Sequence, residues 1–552
     1  MNLAKTARLW NARTLFRRRC PRVPGRTARP RDMSFLGRPI KKTPGPARTP
    51  ERPVAPVRPP AAPTAPLESP HPDPVGTALA LLAVAFAAVT LPNATPTEMA
   101  RYAAITVGLG LTGSVLMDFR RGVWNLPRAD LFSLLAFYFL TLFEFLFPQP
   151  KFNTMTTPAL AAEGIYVVLT GFTGLLLGRH FFRPKTQPLG DVMTHEIPPG
   201  WLIALFWVAT GIGYFHMLIA VHFDVVKMIS WFSEPRFTQP WSRGKFGDWK
   251  ALIFELGMLI QLLPPLAGIM IARRRRFPIW HLLPMLVVLG ITIYAAFASG
   301  TRNVLASYLV TFLIGYAFAL PTERRKELIV LAAVCGVIMT FATFFMLQFR
   351  TVGLKNYLAE NGANVTLMEP APGEEVKTLY VDYNLYSICR LVEVFPKRYP
   401  YSGLEIPYLA LIRPIPRALW KGKPEGMKTS IEEAMGMEGL TISASFAGEA
   451  YMSGGNIVVF LIGLAFGAVG GWWCYLAAPR NSEIGILIYA SGFFAAVISM
   501  RSLLQFTTAL LPTVAGIVIA TYLVGKLRAR LQLRRAPAGG PFGASATASR
   551  RP

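Results

Sequence analysis

Arginine is the residue type whose placement in this chain suggests chemistry. Arg413 and Arg417 bracket a Pro-Ile-Pro turn, with Trp420, Lys423 and Pro424 just beyond. Arg302 follows Ser299-Gly300-Thr301, and Arg350 and Arg501 each close an apolar run. Arg243 and Lys245 sit in Trp241-Ser242-Arg243-Gly244-Lys245-Phe246-Gly247. A guanidinium offers a planar fork of donors that fits phosphate or carboxylate. Several of them converging on one cavity would hold a pyrophosphate group. Taken singly, each arginine has a simpler reading: it snorkels to lipid headgroups or pairs with a nearby acid. Glu144, Glu163 and Glu255 lie inside apolar runs, and Glu449 lies in Ser445-Phe446-Ala447-Gly448-Glu449-Ala450-Tyr451. A buried carboxylate beside arginines is either a general base or a structural partner. The partner role is the simpler one for Glu144 and Glu255. Glu449 leads as base candidate, because its small neighbours allow a substrate to come close. His216 and His222, at the end of an apolar run, read as helix-packing residues. There is no P-loop, no glycine-rich dinucleotide turn and no zinc spacing, so no metal and no cofactor are expected. The four cysteines, Cys20, Cys335, Cys389 and Cys474, suggest neither a metal site nor a disulfide framework.

The elements that must position these groups are membrane spans. The 552 residues are 52% hydrophobic and only 16% charged, whereas soluble domains carry about 25% charge. A crossing needs about 20 apolar residues. Twelve candidates fall near 75–92, 100–118, 129–147, 158–178, 200–221, 250–272, 280–299, 304–320, 328–347, 456–477, 484–500 and 505–525. The expected fold is therefore an all-α integral membrane protein with about twelve transmembrane helices.

Charge orients these spans. The net charge is +27, but residues 1–74 hold +12 of it and residues 526–552 another +7. Both segments are expected to be disordered basic cytoplasmic tails, the first of them Pro-rich. Two basic tails flanking an apolar body are a topology signal and suit anionic lipid headgroups. With no binding fold beside them, they do not indicate nucleic acid. Connections after even-numbered spans carry Arg120 and Arg121, then Arg179 and Arg183, then Arg273 to Arg276, then Arg324, Arg325 and Lys326, then Arg480. Basic residues favour the cytoplasmic side, so both termini are assigned there. No apolar segment follows the early basic residues to make a cleavable signal. Residues 75–347 then form a membrane domain of nine helices, and residues 456–525 contribute the last three. Between them, residues 348–455 form a large periplasmic loop with short helices, far longer than a connector requires. Arg243, Arg302, Arg350, Arg413, Arg417 and Arg501 fall on this outer side, where charge is costly and tends to mark function.

Arg413-Pro-Ile-Pro-Arg417-Ala-Leu-Trp420-Lys-Gly-Lys423-Pro424 resembles a stretch of the bacterial O-antigen and oligosaccharide repeat unit polymerases. Ser443-Ala-Ser445-Phe-Ala-Gly448-Glu449-Ala-Tyr451-Met-Ser-Gly454 resembles the stretch that follows it in that family. The segments around Arg243 and Arg302 are similar to its outer-face elements. The resemblance is specific over about 410–455 and elsewhere rests mostly on hydropathy.

The resemblance implies a GT-C-like, metal-independent glycosyltransferase of the bacterial inner membrane. Such a polymerase acts at the periplasmic face. It transfers glycan from undecaprenyl pyrophosphate to the sugar of an incoming lipid-linked repeat unit, in O-antigen or exopolysaccharide synthesis. Arg302, Arg350, Arg413 and Arg417 are then expected on the pyrophosphate, and Arg243 on the second lipid-linked substrate. Glu449 is expected as base, with Trp420 and Tyr451 stacking on sugar rings. Expected partners are the undecaprenyl-pyrophosphate-linked oligosaccharide, membrane lipids, a chain-length regulator and a flippase. An O-antigen ligase-like enzyme would share the pyrophosphate arginines and differ in its acceptor pocket. A transporter or flippase of lipid-linked sugars would carry its charge nearer mid-membrane, beside broken helices. A scaffold for envelope assembly would need no such arginines.

Overall fold

The computed structural model describes residues 70–182, 196–235, 238–241, 249–321, 324–349, 353–361, 384–415, 419–424, 426–427, 429–434, 443–477 and 482–535. Most of both expected tails lies outside the described residues, as do Arg183, Arg243, Arg350, Arg417 and Arg480. Among the described residues every regular element is helical. The helices are α1 (Pro74–Val89), α2 (Pro96–Arg120), α3 (Ala129–Thr141), α4 (Phe152–Met155), α5 (Pro158–Gly178), α6 (Pro199–Ala220), α7 (Val225–Phe232) and α8 (Trp249–Leu256). They continue with α9 (Leu263–Ala272), α10 (Ile279–Ala298), α11 (Arg302–Ala319), α12 (Arg325–Phe349), α13 (Leu354–Asn361), α14 (Asn384–Val394), α15 (Glu405–Ile412), α16 (Ile431–Ala434), α17 (Ser445–Cys474), α18 (Glu483–Arg501) and α19 (Phe506–Arg535).

Local sequence sets several of these boundaries. Asp73 caps α1 by accepting from the N–H groups of Val75 and Gly76, and Pro74 fills a position that needs no donor. Thr95 and Glu98 close a capping box on α2. Thr157 caps α5 and Ser482 caps α18.

Nine helical segments among the described residues are long and apolar enough to cross a membrane: Pro96–Arg120, Pro158–Gly178, Pro199–Ala220, Ile253–Ala272, Ile279–Ala298, Arg302–Ala319, Ser445–Cys474, Glu483–Arg501 and Leu503–Lys526. Their outer faces carry exposed apolar side chains, including Trp280, Ile457 and Leu109. Water does not favour such a surface, and hydrocarbon does. The protein is an all-α, multi-pass membrane protein.

Two large apolar cores hold the bundle. One gathers α1 to α5 with α14, α15 and α17, and the other gathers α6 and α9 to α12 with α18. Between lipid-exposed helices close packing replaces the hydrophobic drive. Gly174 and Gly178 on α5 face Gly463, Gly467 and Gly471 on α17, and any added Cβ there would meet the partner's backbone.

The loop expected over 348–455 is only partly a surface element. Among its described residues, α14 is buried along Leu385, Ile388, Cys389 and Leu391 and packs on α5. The last eleven residues of the expected loop belong to α17, which begins at Ser445, not near 456. A break at Gly454–Gly455 divides α17 into a short half carrying Glu449 and a long apolar half. Gly455 has φ 67°, a conformation that favours glycine. The Met452 carbonyl at the break accepts from the Ser402 N–H at 2.9 Å and the Ser402 hydroxyl at 3.2 Å.

Candidate functional site

The short 3-10 turn Leu503–Gln505, between α18 and α19, is where Glu449 and the helix leading to Arg413 meet. Glu449 reaches it from α17, almost fully buried. Its Oε1 accepts from the Ser502 hydroxyl at 2.7 Å and its Oε2 from the Leu504 N–H at 3.0 Å. Ser443 donates to the Arg501 carbonyl at 2.9 Å, and Thr507 donates to the Ala410 carbonyl. Helix α15 packs directly on the turn. Arg413, the residue after α15, is half-buried. It lies close enough to act electrostatically on both Glu449 and Glu255.

Lys423 ties back to the residues that follow α15. Its ammonium donates to the carbonyls of Arg413 at 2.9 Å and Ile415 at 2.8 Å, and it also acts on Glu255. Glu255 stands on the last turn of α8, just before a 3-10 stretch at Gly257–Leu262. Its Oε2 is buried and accepts no hydrogen bond among the described residues. His216 of α6 packs edge-on against Phe254 at 5.3 Å and crowds Gly257, the packing role expected for it.

Arg302 is the first residue of α11, half-buried, after Gly300 with φ 65°. Helix α11 packs on α18, and Phe318 near its far end meets Tyr489 near the start of α18, ring centroids 5.1 Å apart. The two helices are therefore antiparallel, and Arg302 lies at the same end of the bundle as Arg501. Tyr451 is buried edge-on against Tyr401, centroids 6.0 Å apart, and Trp420 is half-buried. The structure thus gathers Arg302, Arg413, Arg501, Glu449 and Glu255 at one end.

At the opposite end lies a charge cluster that the sequence reading missed. Arg128 and Arg179 are fully buried against Asp118 and Asp130. Arg128 donates to Asp118 at 2.7 Å and to Asp130 at 3.0 Å, and Arg179 pairs with Asp118 at 3.2 Å and Asp130 at 3.4 Å. Arg128 also donates to the His71 and Asn125 carbonyls, and Asp118 accepts from the Asp73 N–H at 2.8 Å. The cluster therefore fastens the strand of chain entering α1. Burial would raise the Asp73 carboxyl, but the N–H groups of Val75 and Gly76 and the Arg121 guanidinium hold it below the usual carboxylate range. On the same end Glu483 receives both Arg273 and Arg276. The available signal was two acids, Asp118 and Asp130, at the ends of the two expected spans that flank a connection counted only for its arginines.

Residues 266–506 match a family model described as Domain of unknown function (DUF8712). The matched stretch contains Arg302, Arg413, Glu449 and Arg501, and begins after Glu255. No curated protein matches this chain, and no solved structure matches it.

Proposed function

We propose that this chain is a metal-independent glycosyltransferase of the bacterial inner membrane that polymerises lipid-linked oligosaccharide repeat units at the periplasmic face. The carrying observation is that Arg302, Arg413 and Arg501 lie with two carboxylates at the end of the bundle that holds the turn after α18. The proposed topology has twelve crossings, both termini in the cytoplasm and a GT-C-like architecture. Helices α1, α3 and α12 coincide with the three expected spans beyond the nine long apolar segments. The Glu449 end is then the outer one, and the Asp118–Arg128 end the inner one.

The donor is a glycan on undecaprenyl pyrophosphate. As the sugar–phosphate bond breaks, charge develops on the diphosphate. Fixed guanidinium groups of Arg302 and Arg413, with Arg350 and Arg417, neutralise that charge without reorganising. A carboxylate, Glu449 or Glu255, takes the proton of the acceptor hydroxyl. Arg243 meets the second lipid-linked substrate, and Trp420 and Tyr451 stack on sugar rings. A chain-length regulator and a flippase are the expected partners in the membrane. The site's charges lie at helix ends, which favours a transferase over a flippase.

Polymer length in cells tests this reading. Arg417→Lys keeps the charge and loses the fork, so it should shorten the polymer, and Arg417→Ala should abolish it. Normal length in both variants would remove Arg417 from the pyrophosphate site. In a deletion strain single-repeat glycan should build up at the outer face, and build-up inside would point to a flippase.

A further inference from the structure

We infer that Glu255 is the catalytic base of this site and that Glu449 is a positioning residue for the turn between α18 and α19. The inference rests on the polymerase reading and deepens it. A general base needs a carboxylate oxygen free to meet the acceptor hydroxyl at hydrogen-bond distance, about 2.6–3.2 Å. Both oxygens of Glu449 are already occupied, by a hydroxyl at 2.7 Å and a backbone N–H at 3.0 Å. Neither donor is loose: Leu504 is held in a 3-10 turn, and Arg501, next to Ser502, has its carbonyl tied to Ser443. Glu449 therefore joins the short half of α17 to the end of α18. A buried carboxylate with a fixed donor on each oxygen holds geometry.

Glu255 is in the opposite situation. Its Oε2 is buried yet accepts nothing among the described residues; a buried acceptor left empty costs free energy, and a functional role is one reason for a protein to retain it. The cations that act on it, Arg413 and Lys423, are joined by the Lys423 bonds to the Arg413 and Ile415 carbonyls. A diphosphate held by Arg413 would therefore sit on a cation that already acts on Glu255. The helix changes to 3-10 winding two residues later, at Gly257, where His216 comes close. That close packing leaves no room for a side chain at Gly257, directly after the end of α8. In the step itself the acceptor O–H bond breaks and its proton passes to Glu255 Oε2. The acceptor oxygen bonds the anomeric carbon as the bond from carbon to phosphate oxygen breaks, and that electron pair stays on undecaprenyl pyrophosphate. The proton then leaves Glu255 to solvent.

The test uses the purified full chain in nanodiscs with a synthetic lipid-linked repeat unit. Glu255→Gln should lower kcat by about 100-fold or more, the scale of general-base catalysis, with KM within threefold of wild type. Glu255→Asp keeps the carboxylate but withdraws it by one methylene, and should recover part of the lost kcat. Glu449→Gln should lower the thermal midpoint and raise KM, and a wild-type midpoint and KM in that variant would overturn its positioning role. If wild type makes no polymer, the functional reading itself fails. If wild type polymerises and Glu255→Gln keeps kcat within threefold, only the assignment of Glu255 fails. If Glu255→Gln does not accumulate folded, Glu255→Asp decides: full wild-type kcat there overturns the assignment.

Discussion

Replacing Arg128 by Met should be among the most damaging single changes in this chain. Arg128 is fully buried, as are the Asp118 and Asp130 carboxylates it meets. The change removes three hydrogen bonds to carboxylates and two to the His71 and Asn125 carbonyls. Arg179 alone then faces two buried acids, leaving one negative charge uncompensated. Breaking a buried ion pair in this way costs about 3–5 kcal/mol. A double variant, Arg128→Met with Asp130→Leu, restores neutrality and leaves the Arg179–Asp118 pair at 3.2 Å. Replacing a whole buried pair with apolar residues is often close to neutral, so the double variant should recover at least about 2 kcal/mol of the loss, an interaction energy typical of direct contacts. Unfolding in mixed micelles by titrated dodecyl sulfate, followed by circular dichroism, measures both. A single-variant cost under about 1 kcal/mol, or a double variant as unstable as the sum of its parts, would refute the view that the cluster is one balanced unit.

Other outcomes follow from the same geometry. Gly467→Val should cost about 3 kcal/mol or more and lower yield, because its Cβ would strike the Leu175 carbonyl where α5 and α17 touch; unchanged unfolding would refute that contact. Asp73 is held below the usual carboxylate range, so its contribution is present above that range and is lost as pH falls through it. Asp73→Asn should therefore flatten the loss of stability below about pH 4, the ordinary carboxylate range, as read from unfolding midpoints across pH. Arg413→Lys should reduce polymerisation by about tenfold or more, since one bidentate charge-assisted contact is worth about 1.5–3 kcal/mol, and full activity would exclude a forked contact there.

Much of the bundle was legible because a crossing needs a long uninterrupted apolar run. The expected spans at 158–178, 200–221 and 280–299 correspond to Pro158–Gly178, Pro199–Ala220 and Ile279–Ala298. The start of α17 was not legible. Its first turns hold Ser445, Gly448, Glu449 and Ser453, which dilute the hydropathy, and Gly454–Gly455 resemble a loop. The burial of α14 was equally hidden, because its apolar face is mixed with Asn384, Ser387 and Arg390. At the site, residue type pointed to Arg302, Arg413, Glu449 and Glu255, but hydrogen bonding separates the two carboxylates. Glu449 is satisfied by Ser502 and Leu504, which lie more than fifty residues away along the chain. Pairings of that range, like those of Arg179 with Asp118 and Asp130, cannot be read from local spacing.

The most direct measurement is the product made by the purified chain from a lipid-linked repeat unit with a chelator present. A ladder of glycans spaced by one repeat, with undecaprenyl pyrophosphate released for each bond formed, is the predicted result. A well-folded preparation that binds the substrate and returns only the single repeat would contradict the account.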